Sequence, residues 1–292
     1  GELLGILYLE NNTFVSAFTP ERLELLHIIA SQVVVSMNNA FLYANLEREV
    51  EKRTNELNES LVQVQDLKEQ QDGDYFLTSL LLKPLGKNLS EDKNIKVETF
   101  IRQKKQFSFK KYDDEIGGDL CISDTIHLKN KKMTLFMSAD AMGKSIQGAG
   151  GALVLGAVLK AISERSKIDE SVYNLFPERW LKNAFVELHR VFLSFDGMML
   201  ISGVFGIIDD ETGLFYYLNI ESPLTVLYRN KVATFIQPTQ SLRKLGSFGT
   251  EGNDVIIQTF LLQANDSIIN GSDGRDDLNL GEDADGHFIL NM

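Results

Sequence analysis

Two aspartates mark the place where this sequence could do chemistry. Asp119 closes EIGGD (115–119) and Asp140 lies in SADAMGKS (138–145), at the two ends of what reads as one β-hairpin. Between them run LCISDTIHL, a basic KNKK and MTLFMSA, apolar and β-branched strands around a polar turn. Pairing the strands about the midpoint of 119 and 140 puts the turn at Lys129–Asn130 and the two aspartates opposite each other. Opposed residues on antiparallel strands have Cβ atoms about 4.5–5.5 Å apart. Carboxylates that close repel unless a cation lies between them, so the pairing predicts a metal site. Asp273, after SIING and before Gly274, is a third aspartate at a strand end. Taken singly, such Asp and Gly neighbours read as turns. Together, beside flexible backbone, they suit hard, oxygen-loving Mg²⁺ or Mn²⁺.

Other chemistries find little support. His27, His127, His189 and His287 are scattered and lack zinc-ligand spacing. Cys121, the single cysteine, excludes an internal disulfide, and its apolar strand setting predicts a buried structural thiol in a cytoplasmic protein. Gly143–Lys144–Ser145 ends like a phosphate-binding loop, but Ser138 stands where that loop needs its first glycine. GAGGAL (148–153) puts Leu153 at the last glycine of a dinucleotide fingerprint, so Gly148, Gly150 and Gly151 read as close packing at a helix start.

The elements that must position the aspartates follow from pattern. The 292 residues are 43% hydrophobic and 24% charged, globular in composition and long enough for about two domains. A net charge of −12 makes non-specific nucleic-acid binding a poor fit. No apolar run is read as reaching the roughly 20 residues of a membrane span, and no signal peptide is evident at the start. Residues 1–12 read as a strand and turn, followed by a helix with Thr19 as N-cap and Pro20 in its first position. That helix continues through a charged stretch, 41–72, where Val50, Leu57 and Val64 recur every seven residues beside Leu46, Leu61 and Leu67. This is a short coiled-coil pattern, which predicts a homodimer through 41–71 and a helix able to pass rotation or splaying between domains.

Asp72–Gly73–Asp74 is expected to break the helix, with a short apolar helix at 75–85 and a linker to 94. From Val97 strands are expected, beginning with VETFIRQKK and FSFKKY. Helices over 149–166 and 177–195 follow, and then strands over MLISGVFGIID, LFYYLNI, LTVLYRN, KVATFI, TFLLQ and SIING, with a hairpin turn at Asp210–Gly213. Strands, two helices, then a strand meander predict an α+β fold with mostly antiparallel sheet.

These motifs resemble a known family. E-I-G-G-D, D-A-M-G-K-S and S-D-G-R-D-D are similar, in order, to the successive motifs of the metal-dependent protein serine/threonine phosphatases, in their SpoIIE-like bacterial branch. SGVFGIIDDETGLFYYLNIESPLTVLYRN and KLGSFG resemble two further stretches of that branch. The resemblance covers about 95–280. Residues 1–40 resemble the C-terminal end of a GAF sensor domain. The implied organisation is a GAF-like fragment (1–40), a signalling helix (41–72), a short helix and linker (73–94) and a phosphatase domain (95–292).

The resemblance implies two packed, mostly antiparallel sheets flanked by helices, an α-β-β-α sandwich, with two Mn²⁺ or Mg²⁺ ions between the sheets. Asp119 would contact metal and orient water, Asp140 would bridge both ions, the Ala141 carbonyl would be a ligand, and Asp273 would bind the second ion. The implied reaction is hydrolysis of phosphoserine or phosphothreonine by metal-bound hydroxide, as the output of a signalling protein, with a STAS-type anti-sigma-factor antagonist as the branch's common substrate. Departures are Ser145 for a usual glycine, Ile220–Glu221–Ser222–Pro223 without the usual histidine, and Arg275–Asp276 after the third motif. The family's further C-terminal aspartate is expected to be missing, since Asp283 and Asp285 fall in a loop-like GEDADGH close behind Asp273. The alternative function is a non-catalytic dimeric signalling module that keeps the fold.

Overall fold

A computed structural model of the chain describes residues 5–91, 94–249, 255–275, 279–282 and 288–290. Two units divide it, 1–69 and 70–292.

In the first unit residues 5–10 form no strand, contrary to expectation. A lone extended segment has no partner for its backbone groups, and these residues are exposed. Helix α1 (Pro20–Leu82) begins at Pro20, and Thr19 Oγ1 accepts from the Arg22 amide at 3.4 Å. Its surface over 45–69 is exposed throughout, and Arg53 pairs with Glu49 at 3.0 Å one turn back. By length and composition alone, α1 and α2 (Ile146–Ile168) are each apolar enough to cross a membrane. This corrects the expectation that no run would qualify, although α2 is a half-buried core helix.

In the second unit α1 runs unbroken through Asp72–Gly73–Asp74. The expected break is overridden by packing. Asp72, Tyr75 and Ser79 form a buried stripe on the hairpin of β2 (Lys105–Phe109) and β3 (Tyr112–Ile116). A Cβ on Gly73 would stand 3.2 Å from the Phe109 ring, so this glycine makes room for a contact rather than ending the helix. Phe76 stacks on Tyr112 with ring centroids 5.0 Å apart, and Ser79 Oγ donates to Asp114 at 3.0 Å. Residues 97–103 form no strand, so the expected VETFIRQKK strand is absent and pairing begins at Lys105.

The main sheet has six strands in the order β1-β4-β5-β6-β7-β10. They are β1 (Asn88–Leu89), β4 (Asp119–Leu128), β5 (Lys131–Ala141), β6 (Ile201–Asp209), β7 (Leu214–Ile220) and β10 (Gln258–Leu261). Only β1 on β4 is parallel. Alternation divides the faces. Ile122, Ile126, Leu135, Met137, Ile201, Phe205 and Leu218 pack in one core with α2 and α4 (Pro177–Leu193). Helix α4 starts with Pro177 in its first turn and buries Trp180, Leu181, Ala184, Phe185, Leu188 and Phe192 at helical spacing. Each of the leucine and phenylalanine side chains contributes about 1.5–3 kcal/mol on burial. Helix α3 (Glu170–Tyr173) links the two.

On the opposite face Phe136, Ile208, Phe215 and Tyr217 pack with Leu227 and Ile268 of a second sheet, β11-β8-β9, and with Ile236 just beyond it. Its strands are β8 (Val226–Arg229), β9 (Val232–Phe235) and β11 (Ser267–Ile269). A last hairpin pairs β12 (Asn279–Glu282) with β13 (Phe288–Leu290). The fold is therefore α+β, with two packed, mostly antiparallel sheets and helices flanking the larger one.

Candidate metal centre

The β4–β5 hairpin turns at Lys129 and Asn130, whose φ values of 52° and 61° are those of a type I′ turn. That turn fixes the register, and Asp119 pairs directly with Asp140. Both lie on the face turned to the second sheet, since their neighbours Leu120, Ala139 and Ala141 face the helices. The approach to Asp119 depends on glycine. A Cβ on Gly118 would stand 2.2 Å from the Ala141 carbonyl oxygen, and the Ala141 amide donates to Gly118 O at 3.0 Å. Gly148, in the first turn of α2, sits against the Gly118 Cα. Gly151 is as close to Ala141 and Met199, while Gly150 has open space, so two of the three helix-start glycines serve packing. Gln103 Nε2 donates to Asp119 O at 2.7 Å and holds the strand's start from the other side.

Asp273 arrives from the second sheet. It opens a short 3-10 turn (Asp273–Arg275) soon after β11, and Arg275 Nη1 donates to Leu224 O at 2.9 Å to tie that turn down. Ser272 lies within hydrogen-bonding reach of the Asp119 carboxylate, and Asp273 lies close enough to Asp140 for a proton to be shared between them. The three predicted aspartates thus lie near enough for their charges to act on one another. Burial, and then the charges of Asp119 and Asp273, push Asp140 up to about 6, with Lys244 opposing them. Burial and Asp273 raise Asp119 too, against its bond from Ser272.

Among the described residues no three His, Cys, Asp or Glu side chains stand in a ready-formed ion cage. The donor set is nonetheless all oxygen and mutually repulsive, and the bare Gly118 Cα leaves the Ala141 carbonyl unobstructed beside it. That chemistry fits Mn²⁺ or Mg²⁺. Asp283 and Asp285 lie outside the described residues.

Three neighbours were not legible as site residues. Ser202 pairs with Asp140 on β6, Ser272 precedes Asp273, and Lys244 lies in KLG. Only Ser272 carried a local signal, its place beside the third motif. Cys121 is not the buried core thiol expected. It is half-buried on the same face as Asp119, with Sγ 3.9 Å from Ser138 Oγ, because odd positions of β4 face away from the helices.

The Stage II sporulation protein E (SpoIIE) family matches residues 130–290, which hold Asp140 and Asp273. The chain belongs to the SpoIIE family. Similar solved structures are the RsbU and RsbW domains of a Mycobacterium tuberculosis protein, with 19% identity, 55% of this chain and 40% of that one covered, and a TM-score of 0.40. A second is the PP2C phosphatase domain of Bacillus subtilis SpoIIE with a regulatory fragment, at 16% identity, 55% and 41% coverage and a TM-score of 0.40. A third is the SiaA-PP2C domain of Pseudomonas aeruginosa, at 15% identity, 57% and 60% coverage and a TM-score of 0.41. A curated relative, hybrid signal transduction histidine kinase G of Dictyostelium discoideum, is 44% identical over 48 residues. Those residues are 16% of this chain and 1% of that relative. The chain spans less than half the length of the first two solved relatives.

Proposed function

We propose that this SpoIIE-family chain is a Mn²⁺- or Mg²⁺-dependent phosphoprotein phosphatase for phosphoserine and phosphothreonine. The observation that carries the reading is the nearness of Asp119, Asp140 and Asp273, brought from two sheets, with burial and then like charges raising the Asp119 and Asp140 carboxyls. Bound ions would supply Lewis acidity at neutral pH and positive charge against the phosphoryl oxygens. Asp140, Asp273, Asp119 and the Ala141 carbonyl would hold two of them. Asp119, itself held by the Ser272 hydroxyl, would orient the attacking water by accepting its hydrogen. The packed sheets and the glycine contacts at Gly118 and Gly148 fix these groups before substrate arrives, so little reorganisation is needed at the transition state.

In the same reading the exposed Val50, Leu57 and Val64 stripe of α1 joins two copies, and α1 passes the state of a GAF-like sensor to the phosphatase. A phosphorylated STAS-type protein is the proposed substrate. The test is release of phosphate from p-nitrophenyl phosphate and from a phosphorylated STAS protein, with Mn²⁺ and with EDTA. Mn²⁺-dependent release abolished by EDTA is expected. Equal release under both conditions, or none with Mn²⁺, rejects the enzyme. Light scattering that finds a monomer rejects the dimer.

A further inference from the structure

We infer that Lys244 is the residue that anchors the phosphoryl group of the substrate, a phosphomonoester dianion entering from the Lys244 side of Asp140. This rests on the phosphatase reading above and adds to it a group that does not hold metal.

The placement follows from the sheet. Beyond the end of β7, residues 242–245 take its place beside β6. Leu245 and Ile201 bridge antiparallel and exchange backbone bonds of 2.9 and 3.2 Å. The next pair along that register is Ser202 with Lys244. Ser202 in turn faces Asp140, and Asp140 faces Asp119. One row therefore crosses four adjacent segments: Asp119, Asp140, Ser202, Lys244. Ile201 and Leu245 point into the helix-side core, so alternation sends Lys244 to the carboxylate face. Neighbouring strands lie about 4.8 Å apart, which leaves Lys244 about 10 Å from Asp140 at the backbone, a gap that the two side chains span only by both extending across it.

The segment is held from both sides. The Ser247 amide and hydroxyl donate to Lys244 O at 3.1 and 2.7 Å. The Gly246 amide donates to His189 Nδ1 at 3.2 Å. Gly246 has φ 86°, and a Cβ there would meet Met199 O at 2.8 Å, so the backbone beside Lys244 tolerates no other residue without a shift. The Lys244 charge reaches Asp140, yet among the described residues its ammonium forms no ion pair. A half-buried lysine on a held backbone, next to a carboxylate cluster, is suited to a dianion that the carboxylates alone would repel.

The test compares Lys244→Gln and Lys244→Arg with the natural chain. Three quantities are read: KM and kcat on a phosphoserine peptide with Mn²⁺, calorimetric binding of inorganic phosphate to the Mn²⁺-loaded protein, and Mn²⁺ binding without phosphate. Lys244→Gln is expected to weaken phosphate binding and raise KM by about tenfold, the size of one lost bond to a charged group. The kcat should change much less, Mn²⁺ affinity should hold or tighten, and Lys244→Arg should recover most of the loss. Unchanged phosphate binding and KM in Lys244→Gln, or weaker Mn²⁺ binding that accounts for the rise, overturns the proposal. Phosphate bound through Lys244 by a chain that hydrolyses nothing would sink the phosphatase reading and leave this anchor standing.

Discussion

Asp124 and Asp140 lie on the two strands of one hairpin, and folding treats them in opposite ways. Asp124 faces the helices and is 3% exposed. Burial alone would raise its pKa, but Lys167 at 2.9 Å, the Ser163 hydroxyl at 2.7 Å and the Thr125 amide at 2.8 Å hold it below the ordinary carboxylate range. Asp140, half-buried on the other face, is surrounded by Asp119 and Asp273 and lies well above that range. One carboxylate is compensated by the chain itself. The other has only Lys244 of this chain set against two like charges, and fuller compensation needs positive charge from outside. A buried charge with its partners in place is architecture, and one without them points to a ligand.

The largest effect that would break this contrast is on activity. Asp140→Asn keeps the shape and removes the charge. It should cut Mn²⁺-dependent hydrolysis by on the order of a thousandfold, since even outer partners of metal ligands cost 10–100-fold. The same variant should make the metal-free protein more resistant to heat, because it removes the repelled carboxylate. Retained activity, or a lower melting temperature without metal, would place Asp140 in the same class as Asp124.

Asp124→Ala is the mirror experiment. It strands Lys167 and the Ser163 hydroxyl and should cost about 3 kcal/mol of folding stability by denaturant titration. Mn²⁺ affinity should not change, because Asp124 is on the far face of the sheet. A parallel loss of Mn²⁺ binding would show that the two faces are coupled.

The pH dependence should carry opposite signs. Asp140 has a folded pKa of about 6, against 3.8 in the unfolded chain. The unfolded state therefore releases this proton first, and stability falls as pH rises from about 4 to 6. Asp124 has a lowered folded pKa, so its contribution is present above 3.8 and is lost as pH falls below it. Denaturation of the metal-free protein should show the Asp140 slope, flattened by Asp140→Asn and by saturating Mn²⁺. An unchanged slope in Asp140→Asn would assign it to another group.

The sequence made one half of this contrast readable and hid the other. Asp119, Asp140 and the turn at 129–130 follow from a hairpin, whose pairing is local and symmetric, so period and turn chemistry suffice. Asp273 needed the order of motifs, because nothing local says that a turn after β11 will reach the first sheet. Lys244 stood in the KLGSFG stretch without any sign of a site role, since its side of the sheet is set by the Ile201–Leu245 bridge, formed by residues 44 positions apart. Gly73 gave a false one. Its local preference is for a break, and the Phe109 ring packed against it decides otherwise. The same is true of Asp124, which reads in sequence as one polar residue in an apolar strand until α2 brings Ser163, Lys160 and Lys167 over it.

The smallest effect distinguishes the two cations above Asp124. Lys167 touches both carboxylate oxygens at 2.9 Å, whereas Lys160 reaches one at 3.4 Å, and Glu164 pairs with Lys160 at 2.6 Å and with Lys167 at 3.3 Å. Both ammonium groups are about a third exposed, so solvent screens each of them. Lys160→Met keeps the stem over the sheet and removes the weaker partner, at a cost of about 0.5 kcal/mol. Lys167→Met removes both short bonds and should cost about three times that. If the two variants lose equal stability, Asp124 is held by the overall field of α2 rather than by Lys167. Its compensation would then be diffuse, as that of Asp140 cannot be, because the charged groups acting on Asp140 other than Lys244 are Asp119 and Asp273, of its own sign.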